Sequence, residues 1–435
     1  MFQKIISKYI QVPEIKNATI NLIFSISSFI LVRSFATQIG LEEFGKYNYF
    51  VTTIIALVAV LDFGVSSAII SKIFKLNDSK AAFSMSIAYT SAQLIILLVV
   101  IFIWRIFDSF LRDYILFDFI IILFIVYYNK TAWNILVSYF IKYRNLNYLF
   151  LLSIIYACLS IYLTFYWPEK YNPLYVFLAI LAVIYFVPVL VEGLTQNYSI
   201  RKGCLLVIET ITTFKSHLFI LLLARVLSSF CSWVERFFLV EGFGYSKQAV
   251  FGIGIICLNI LGVFLSGAFR VLWSNNGKFS KILNVDYRLQ KYSVLLLPIY
   301  FTVSVLFSFI ILFCFEIEVN IHNILFFYIL FISSPLLVFA QYHTVILYNL
   351  DKYKSVSKVV IYSSIINIIL IVVFYSFSNE DVILIDFALK GLIVLICTLL
   401  TFKVYYDQET KFTNTIIIFG LLNIVVIKMF VWLYV

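Results

Sequence analysis

The chain has 435 residues, of which 63% are hydrophobic and only 12% are charged, and its mean hydropathy is +1.03. Soluble domains carry about 25% charged residues, so this composition excludes a soluble enzyme and indicates a membrane protein. The net charge of +10 does not indicate a nucleic-acid partner, because Lys and Arg recur in small groups between apolar runs rather than in one basic block.

Runs of about 20 apolar residues are long enough to cross a bilayer as helices, and they predict thirteen spans in chain order. The first six cover 17–39, 47–70, 83–105, 115–139, 148–166 and 174–196. The remaining spans cover 217–240, 249–272, 292–315, 323–349, 358–378, 383–404 and 414–434. The segment before Pro13 is too polar for a signal peptide, so we expect it to stay attached.

The longest link, residues 197–216, separates six spans from six. We therefore predict an all-α polytopic membrane protein with two six-helix bundles and a thirteenth, C-terminal helix. The predicted domains are 1–203 with its amphipathic lead-in, 204–404, and the extra transmembrane helix in 405–435.

Two similar turns suggest an internal repeat. GLEEFGKYNYF follows the first span, and EGFGYSKQAVF follows the seventh. Because each half has an even number of spans, such a repeat would have parallel orientation.

The distribution of Lys and Arg predicts the orientation. Twenty of them lie in loops on the N-terminal side, against five on the other side: Lys46, Arg105, Arg112, Lys170 and Lys247. Positive charge is concentrated in cytoplasmic loops, so we expect a cytoplasmic N-terminus.

Charged residues inside the spans are the candidate functional residues, because a charge at mid-bilayer costs roughly 2.5 to 3.5 kcal/mol. The basic ones are Arg33, Lys130, Arg225, Arg236, Arg270, Lys390 and Lys428. The acidic ones are Asp62, Asp118, Glu192, Glu235 and Asp386. Asp386 and Lys390 stand four residues apart, so we expect them to neutralise each other on one helix.

Arg33, Lys130 and Arg225 have no acid three or four residues away, which leaves two interpretations. Each could meet a carboxylate on another helix, with Asp62 and Glu192 available. Alternatively, several could face a shared polar cavity and bind an anionic group.

Three segments carry a resemblance to a known family: FILVRSFATQIGLEEFGKYNYF, VAVLDFGVSSAIISKIF and FKSHLFILLLARVLSSFCSWVERFFLVEGFGYSKQAV. They resemble bacterial polysaccharide exporters of the Wzx type, which are lipid-linked oligosaccharide flippases of the MOP superfamily and relatives of MurJ and the MATE exporters.

The resemblance implies alternating access and a central cationic cavity. Its substrate would be an undecaprenyl-diphosphate carrier bearing one glycan repeat, flipped across the bacterial inner membrane for O-antigen, lipopolysaccharide or another surface polysaccharide. The expected partners are this lipid-linked glycan, membrane lipids, a polysaccharide polymerase and a chain-length regulator, with no nucleic acid, and the protein would be a monomer.

The resemblance and the chemistry of arginine together predict the site residues. A guanidinium binds phosphate oxygens in bidentate fashion, so Arg33, Arg225 and Arg236 would hold the diphosphate and Lys130 would assist. The sequence has no Walker A motif and no HExxH, so we predict no cofactor, no metal and no catalytic residue. A proton or sodium gradient would then drive transport, with Asp62 or Glu192 as the coupling carboxylate.

Two alternatives remain open. A MATE-type drug or ion antiporter would share the fold but prefer an acidic or apolar cavity. A membrane enzyme such as a polysaccharide polymerase would belong to another class, and the short outer loops argue against it.

Overall fold

The computed structural model describes residues 13–62, 64–107, 116–127, 132–143, 146–168, 171–195, 198–274, 304–349, 353–405, 417–418 and 420–428. Within these ranges every regular secondary-structure element is a helix. Helices keep all backbone hydrogen bonds inside one apolar segment, so this architecture satisfies the backbone polar groups where a bilayer offers no water.

In the part of the chain that the structure describes, eight helices precede the central link. They are α1 (Pro13–Ile39), α2 (Leu41–Asp62), α3 (Val65–Lys75), α4 (Ser79–Phe107), α5 (Leu116–Tyr127), α6 (Trp133–Tyr143), α7 (Leu146–Phe165) and α8 (Pro173–Thr195). The rest are α9 (Ile200–Ser274), α10 (Ser304–Cys314), α11 (Ile321–Asn349), α12 (Tyr353–Phe377) and α13 (Ile383–Tyr405), followed by helical residues within 417–428.

Helix α9 is not one continuous rod. Gly244 has a non-helical backbone, with φ 81° and ψ 172°. The segments Ile200–Lys215 and Phe219–Leu258 also meet at a bend of 97°. Residues 200–215, which we name the link helix, therefore form a separate helical segment within the longest predicted link.

Seven helices in the described ranges are long and apolar enough to cross a membrane: Thr19–Ile39, Leu41–Asp62, Ser79–Ile103, Asn147–Phe165, Pro173–Thr195, Lys354–Phe377 and Ile383–Val404. Six of them follow the bounds of predicted spans to within four residues, whereas Leu41–Asp62 starts before the predicted span 47–70 and ends eight residues short of it. Large apolar side chains cover the outside of such helices, and Phe165 on α7 is 75% exposed. These observations confirm the prediction of an all-α, multi-pass membrane protein.

The chain divides into two compact units. The N unit comprises Ile26–Ile39 and Lys46–Arg236, and the C unit comprises Met1–Ser25, Gly40–Gly45 and Phe237–Val435. In the N unit, α6 packs against α3 and α4; in the C unit, α13 packs against α11 and α12. The domain boundaries predicted after residues 203 and 404 depend on counting spans, and they stay predictions.

The second predicted span, 47–70, is interrupted rather than continuous. Helix α2 ends at Asp62 and α3 begins at Val65, with Gly64 between them in the left-handed conformation (φ 72°, ψ 3°). A side chain at Gly64 would place its Cβ only 2.7 Å from the Cβ of buried Leu221. The periodicity of apolar residues does not reveal this break, because both halves of the segment are equally apolar.

The far end of α3 is held by two residues from α6. The Lys142 ammonium donates to the carbonyl oxygens of Phe74 and Leu76, and the Tyr143 hydroxyl donates to the Leu76 oxygen at 2.6 Å. The last carbonyls of a helix have no partner within it, so these donors complete the hydrogen bonding of α3 and fix its direction.

We expect Gly64→Ala to lower the free energy of unfolding by about 2 kcal/mol or more. A left-handed backbone is strained for any residue with a Cβ, and the new methyl group would also collide with Leu221. Thermal unfolding of the purified protein in detergent measures the loss.

Two matched variants separate these causes. Gly40 also has a positive φ (83°) but nothing within 4 Å of its ideal Cβ, so Gly40→Ala reports strain alone. Gly391 lies in α13 with open space, and Gly391→Ala should be neutral. Equal stability of the Gly64→Ala and Gly391→Ala proteins would contradict this account.

Candidate functional site

A buried carboxylate lies at the break in the second span. Asp62 is 2% exposed. Its Oδ1 accepts the backbone N–H of Ser66 at 3.1 Å, and its Oδ2 accepts the Ser66 hydroxyl at 2.9 Å. The carboxylate therefore occupies the N-terminal end of α3, where unpaired N–H groups and the helix dipole favour negative charge.

Helix α4 supplies two further donors. The Tyr89 hydroxyl donates to Asp62 Oδ1 at 2.5 Å, and Gln93 Nε2 lies 3.5 Å from the same oxygen. Residues four apart share one face of a helix, which is why both side chains reach Asp62. The Tyr127 hydroxyl on α5 lies 3.0 Å from Gln93 Oε1, and this contact leaves the amide NH₂ of Gln93 to face the carboxylate.

Arg225 on α9 completes the cluster. Its Nη1 lies 3.2 Å from Asp62 Oδ2, and its side chain is 40% exposed while that of Asp62 is 2% exposed. For Arg225, the structure thus shows the carboxylate partner on another helix that the first interpretation requires. We name Asp62, Ser66, Tyr89, Gln93 and Arg225 the Asp62 cluster, and all five belong to the N unit.

The second predicted coupling carboxylate is also buried. Glu192 on α8 is 6% exposed, and its Oε1 accepts a hydrogen bond from the Tyr139 hydroxyl of α6 at 2.5 Å. Tyr139 itself is fully buried and its ring lies 5.2 Å from that of Phe83. Glu192 is therefore fixed by a neutral donor on a neighbouring helix.

The other predicted site residues are placed as follows. Arg33 lies on α1, where its backbone carbonyl accepts the Thr37 hydroxyl at 3.1 Å. Arg236 is 7% exposed and ends the N unit within α9. Lys130 lies outside the described residues. The structure brings Arg225 and Asp62 together, and the diphosphate-binding roles of all four basic residues stay predictions.

In the C unit, Asp386 has partners that its sequence spacing does not reveal. Its Oδ2 accepts the Ser378 hydroxyl at 2.6 Å, and its Oδ1 lies 3.4 Å from Lys428 Nζ. Lys390 is 2% exposed, and its Nζ lies 5.1 Å from the centre of the Phe387 ring. Lys428, which the span count places outside the two bundles, thus contacts the twelfth predicted span.

Two ion pairs attach the link helix to other parts of the N unit. Lys202 Nζ lies 3.0 Å from Asp78 Oδ2, and Lys72 Nζ lies 2.9 Å from Glu209 Oε1. The hydrogen bond from Lys202 holds the pKa of the Asp78 carboxyl below its usual value. Because these groups are exposed, each pair contributes little to stability and mainly orients the link helix.

Sequence reasoning identified the charged members of the Asp62 cluster and missed the neutral ones. Ser66, Tyr89 and Gln93 are three among many polar residues in apolar spans, and the chain contains 30 tyrosines. Their sequence signal is a four-residue spacing, of Ser66 from Asp62 and of Gln93 from Tyr89. In the described ranges, no group of three or more His, Cys, Asp or Glu residues could hold a metal ion.

Comparisons with known proteins agree with this architecture. The family model described as polysaccharide biosynthesis protein matches residues 15–243, which is more than half of the chain. All six predicted site residues fall within this match. No curated protein matches the chain.

Several solved structures share the fold over nearly the whole length. An outward-facing multidrug resistance MATE family transporter of the MOP superfamily gives a TM-score of 0.59 at 16% identity, covering 96% of this chain and 97% of that one. A MOP superfamily transporter from Pyrococcus furiosus, described as having a binding pocket of reverse polarity, gives 0.56 at 16% identity with the same coverage. An inward-facing MATE transporter gives 0.58 at 12% identity, with coverage of 95% and 99%.

The resemblance noted in the sequence is confirmed for the family and for the fold. The matched family and the shared fold are those of transporters and flippases rather than of enzymes. This chain therefore belongs to the polysaccharide biosynthesis protein family, and it has the membrane transporter fold of the MOP superfamily.

Proposed function

We propose that this protein flips undecaprenyl-diphosphate-linked oligosaccharide from the cytoplasmic to the outer leaflet of the bacterial inner membrane. The headgroup would bind to basic residues in the membrane while the lipid tail stays in the bilayer. The flipped repeat units would serve O-antigen, lipopolysaccharide or other surface polysaccharide synthesis, with the N-terminus of the protein in the cytoplasm.

This proposal rests on the accessibility of the Arg225 side chain. A guanidinium that is 40% exposed is poorly tolerated against acyl chains, so its accessible part requires water or an anion. Its Nη1 lies 3.2 Å from Asp62 Oδ2, so part of the side chain is paired and part is accessible. An accessible guanidinium is suited to a phosphate, which it binds through two parallel hydrogen bonds.

We further propose that a proton or sodium gradient drives the cycle. Among the described residues, Asp62 and Glu192 are the buried carboxylates available for a coupling ion. The lipid-linked glycan would be received from glycosyltransferases, and the flipped product would pass to a polymerase and a chain-length regulator.

Reconstitution tests the substrate class. The full-length protein is placed in liposomes with a fluorescent polyprenyl-diphosphate-linked disaccharide, and a membrane-impermeant quencher reports movement between leaflets. We expect fast movement of this lipid and no acceleration of a matched polyprenyl-linked disaccharide that lacks phosphates.

Other outcomes would decide against the proposal. It fails if the diphosphate-linked lipid crosses no faster than in protein-free liposomes. Transport of a cationic dye without movement of the diphosphate-linked lipid would instead support the drug antiporter.

A further inference from the structure

The Asp62 carboxylate does not depend on Arg225 for its hydrogen bonds. The Ser66 N–H, the Ser66 hydroxyl and the Tyr89 hydroxyl donate to it at 3.1, 2.9 and 2.5 Å, and the Gln93 amide lies 3.5 Å away. A buried carboxylate that loses its cation is normally destabilised, because its charge is left uncompensated. Here the neutral donors and the N-terminal end of α3 would keep it stabilised.

Arg225 is placed differently. One of its nitrogens contacts Asp62, yet 40% of its side chain is accessible. A guanidinium carries five N–H donors in a planar fork, and its positive charge attracts any anion that reaches it. The buried carboxylate and an external anion can therefore both reach Arg225, but they would share its limited set of donors.

We propose that Asp62 is an internal counter-ion that competes with the phosphates of the substrate for Arg225. This inference rests on the proposed function and adds how the bound anion is released. With no substrate present, Arg225 pairs with Asp62. When a diphosphate binds, the guanidinium turns toward it, and Ser66, Tyr89 and Gln93 hold the carboxylate in place.

The change of partner by Arg225 affects how fast the substrate is released. A flippase must release its substrate on the second side of the membrane, so binding that is too tight would slow turnover. Asp62 lowers the net affinity for the anion, because binding requires that the existing pair be broken. The return of the Arg225 guanidinium to Asp62 then favours release. This makes Asp62 a positioning residue for Arg225 and gives it a role that needs no coupling ion.

Binding of inorganic pyrophosphate tests the competition directly. Isothermal titration calorimetry on the full-length protein in detergent compares wild type with Asp62→Asn, which has a similar shape but no charge. We expect Asp62→Asn to bind pyrophosphate at least about tenfold more tightly, because the Asp62 carboxylate no longer competes with the anion for Arg225. The gain should disappear in the Asp62→Asn, Arg225→Ala double variant.

A matched control uses a carboxylate outside the cluster. Asp386 also contacts a lysine and a hydroxyl, but it lies in the C unit. Asp386→Asn should bind pyrophosphate as wild type does. If Asp386→Asn gains affinity equally, the effect of Asp62→Asn reflects net charge alone and the inference fails.

A second variant shifts the affinity in the opposite direction and does not remove the buried charge. Tyr89→Phe deletes one neutral donor to Asp62, so the carboxylate depends more on Arg225. We expect weaker pyrophosphate binding, by about threefold or more. Unchanged or tighter binding by Tyr89→Phe would overturn the inference, even if Asp62→Asn does not fold.

The outcomes separate this inference from the proposed function. An Asp62→Asn affinity equal to or weaker than that of wild type, or no pyrophosphate binding by either protein, overturns the competition. The proposed function is decided independently by movement of the diphosphate-linked lipid in liposomes.

Discussion

Arg225→Ala should reduce translocation of the diphosphate-linked lipid by about a hundredfold or more. A hydrogen bond to a charged group contributes about 1.5 to 3 kcal/mol, and a bidentate guanidinium supplies two of them to phosphate. The substitution removes this contact and leaves Asp62 as an unpaired negative charge that repels the diphosphate. The liposome quenching assay with the fluorescent diphosphate-linked disaccharide measures the change.

The fold should survive this substitution, because Asp62 retains hydrogen bonds from Ser66 and Tyr89. Purified Arg225→Ala protein should therefore elute as wild type does. Arg225→Lys should retain partial transport, since the charge remains but the planar fork is lost. Arg201 on the link helix is exposed and has no assigned role, so Arg201→Ala should transport normally.

Arg33→Ala extends the test to the wider cationic site. The sequence predicts that Arg33 and Arg225 act on the same anion, so each alanine variant should lose transport. Normal transport by both variants would remove the assignment of a cationic binding site from this protein.

Gly45→Ala is expected to have the largest effect on folding. An ideal Cβ at Gly45 would lie 2.0 Å from the carbonyl oxygen and 2.7 Å from the carbonyl carbon of Tyr245. These are backbone atoms and cannot rotate away as a side chain could. Overpacking usually costs about 1 to 3 kcal/mol, and a backbone collision of this kind should exceed that range.

The recovery of monodisperse protein after detergent extraction, together with its thermal unfolding midpoint, measures this effect. Gly193→Ala is the matched control, because its nearest neighbour would lie at an ordinary 3.8 Å. Gly45→Ala protein that is as abundant and stable as Gly193→Ala protein would show that the two turns do not pack as described.

This contact also bears on the internal repeat. Gly45 and Tyr245 belong to the two similar turns, GLEEFGKYNYF and EGFGYSKQAVF. Gly40–Gly45 of the first turn and Tyr245 of the second belong to the C unit, and each turn contains a glycine with positive φ, Gly40 and Gly244. The two similar turns therefore meet where Gly45 closely approaches Tyr245.

The sequence by itself determined the class of protein and the position of most helices. The predicted span 83–105 lies within α4, and 383–404 matches α13 almost residue for residue. This succeeds because hydrocarbon thickness sets the length of a span, and backbone groups in lipid must bond within their own helix. The cost of buried charge also marked Arg225 and Asp62 as residues that need a partner or water.

Tertiary structure alone decided which partners those residues have. The break at Gly64 turns Asp62 onto the start of α3, and the packing of α4 and α9 brings Tyr89 and Arg225 to it. Likewise, Asp386 contacts Lys428, which is 42 residues away. The physical reason is that apolar length fixes where a helix crosses the bilayer but not its rotation, and rotation determines which polar side chains meet.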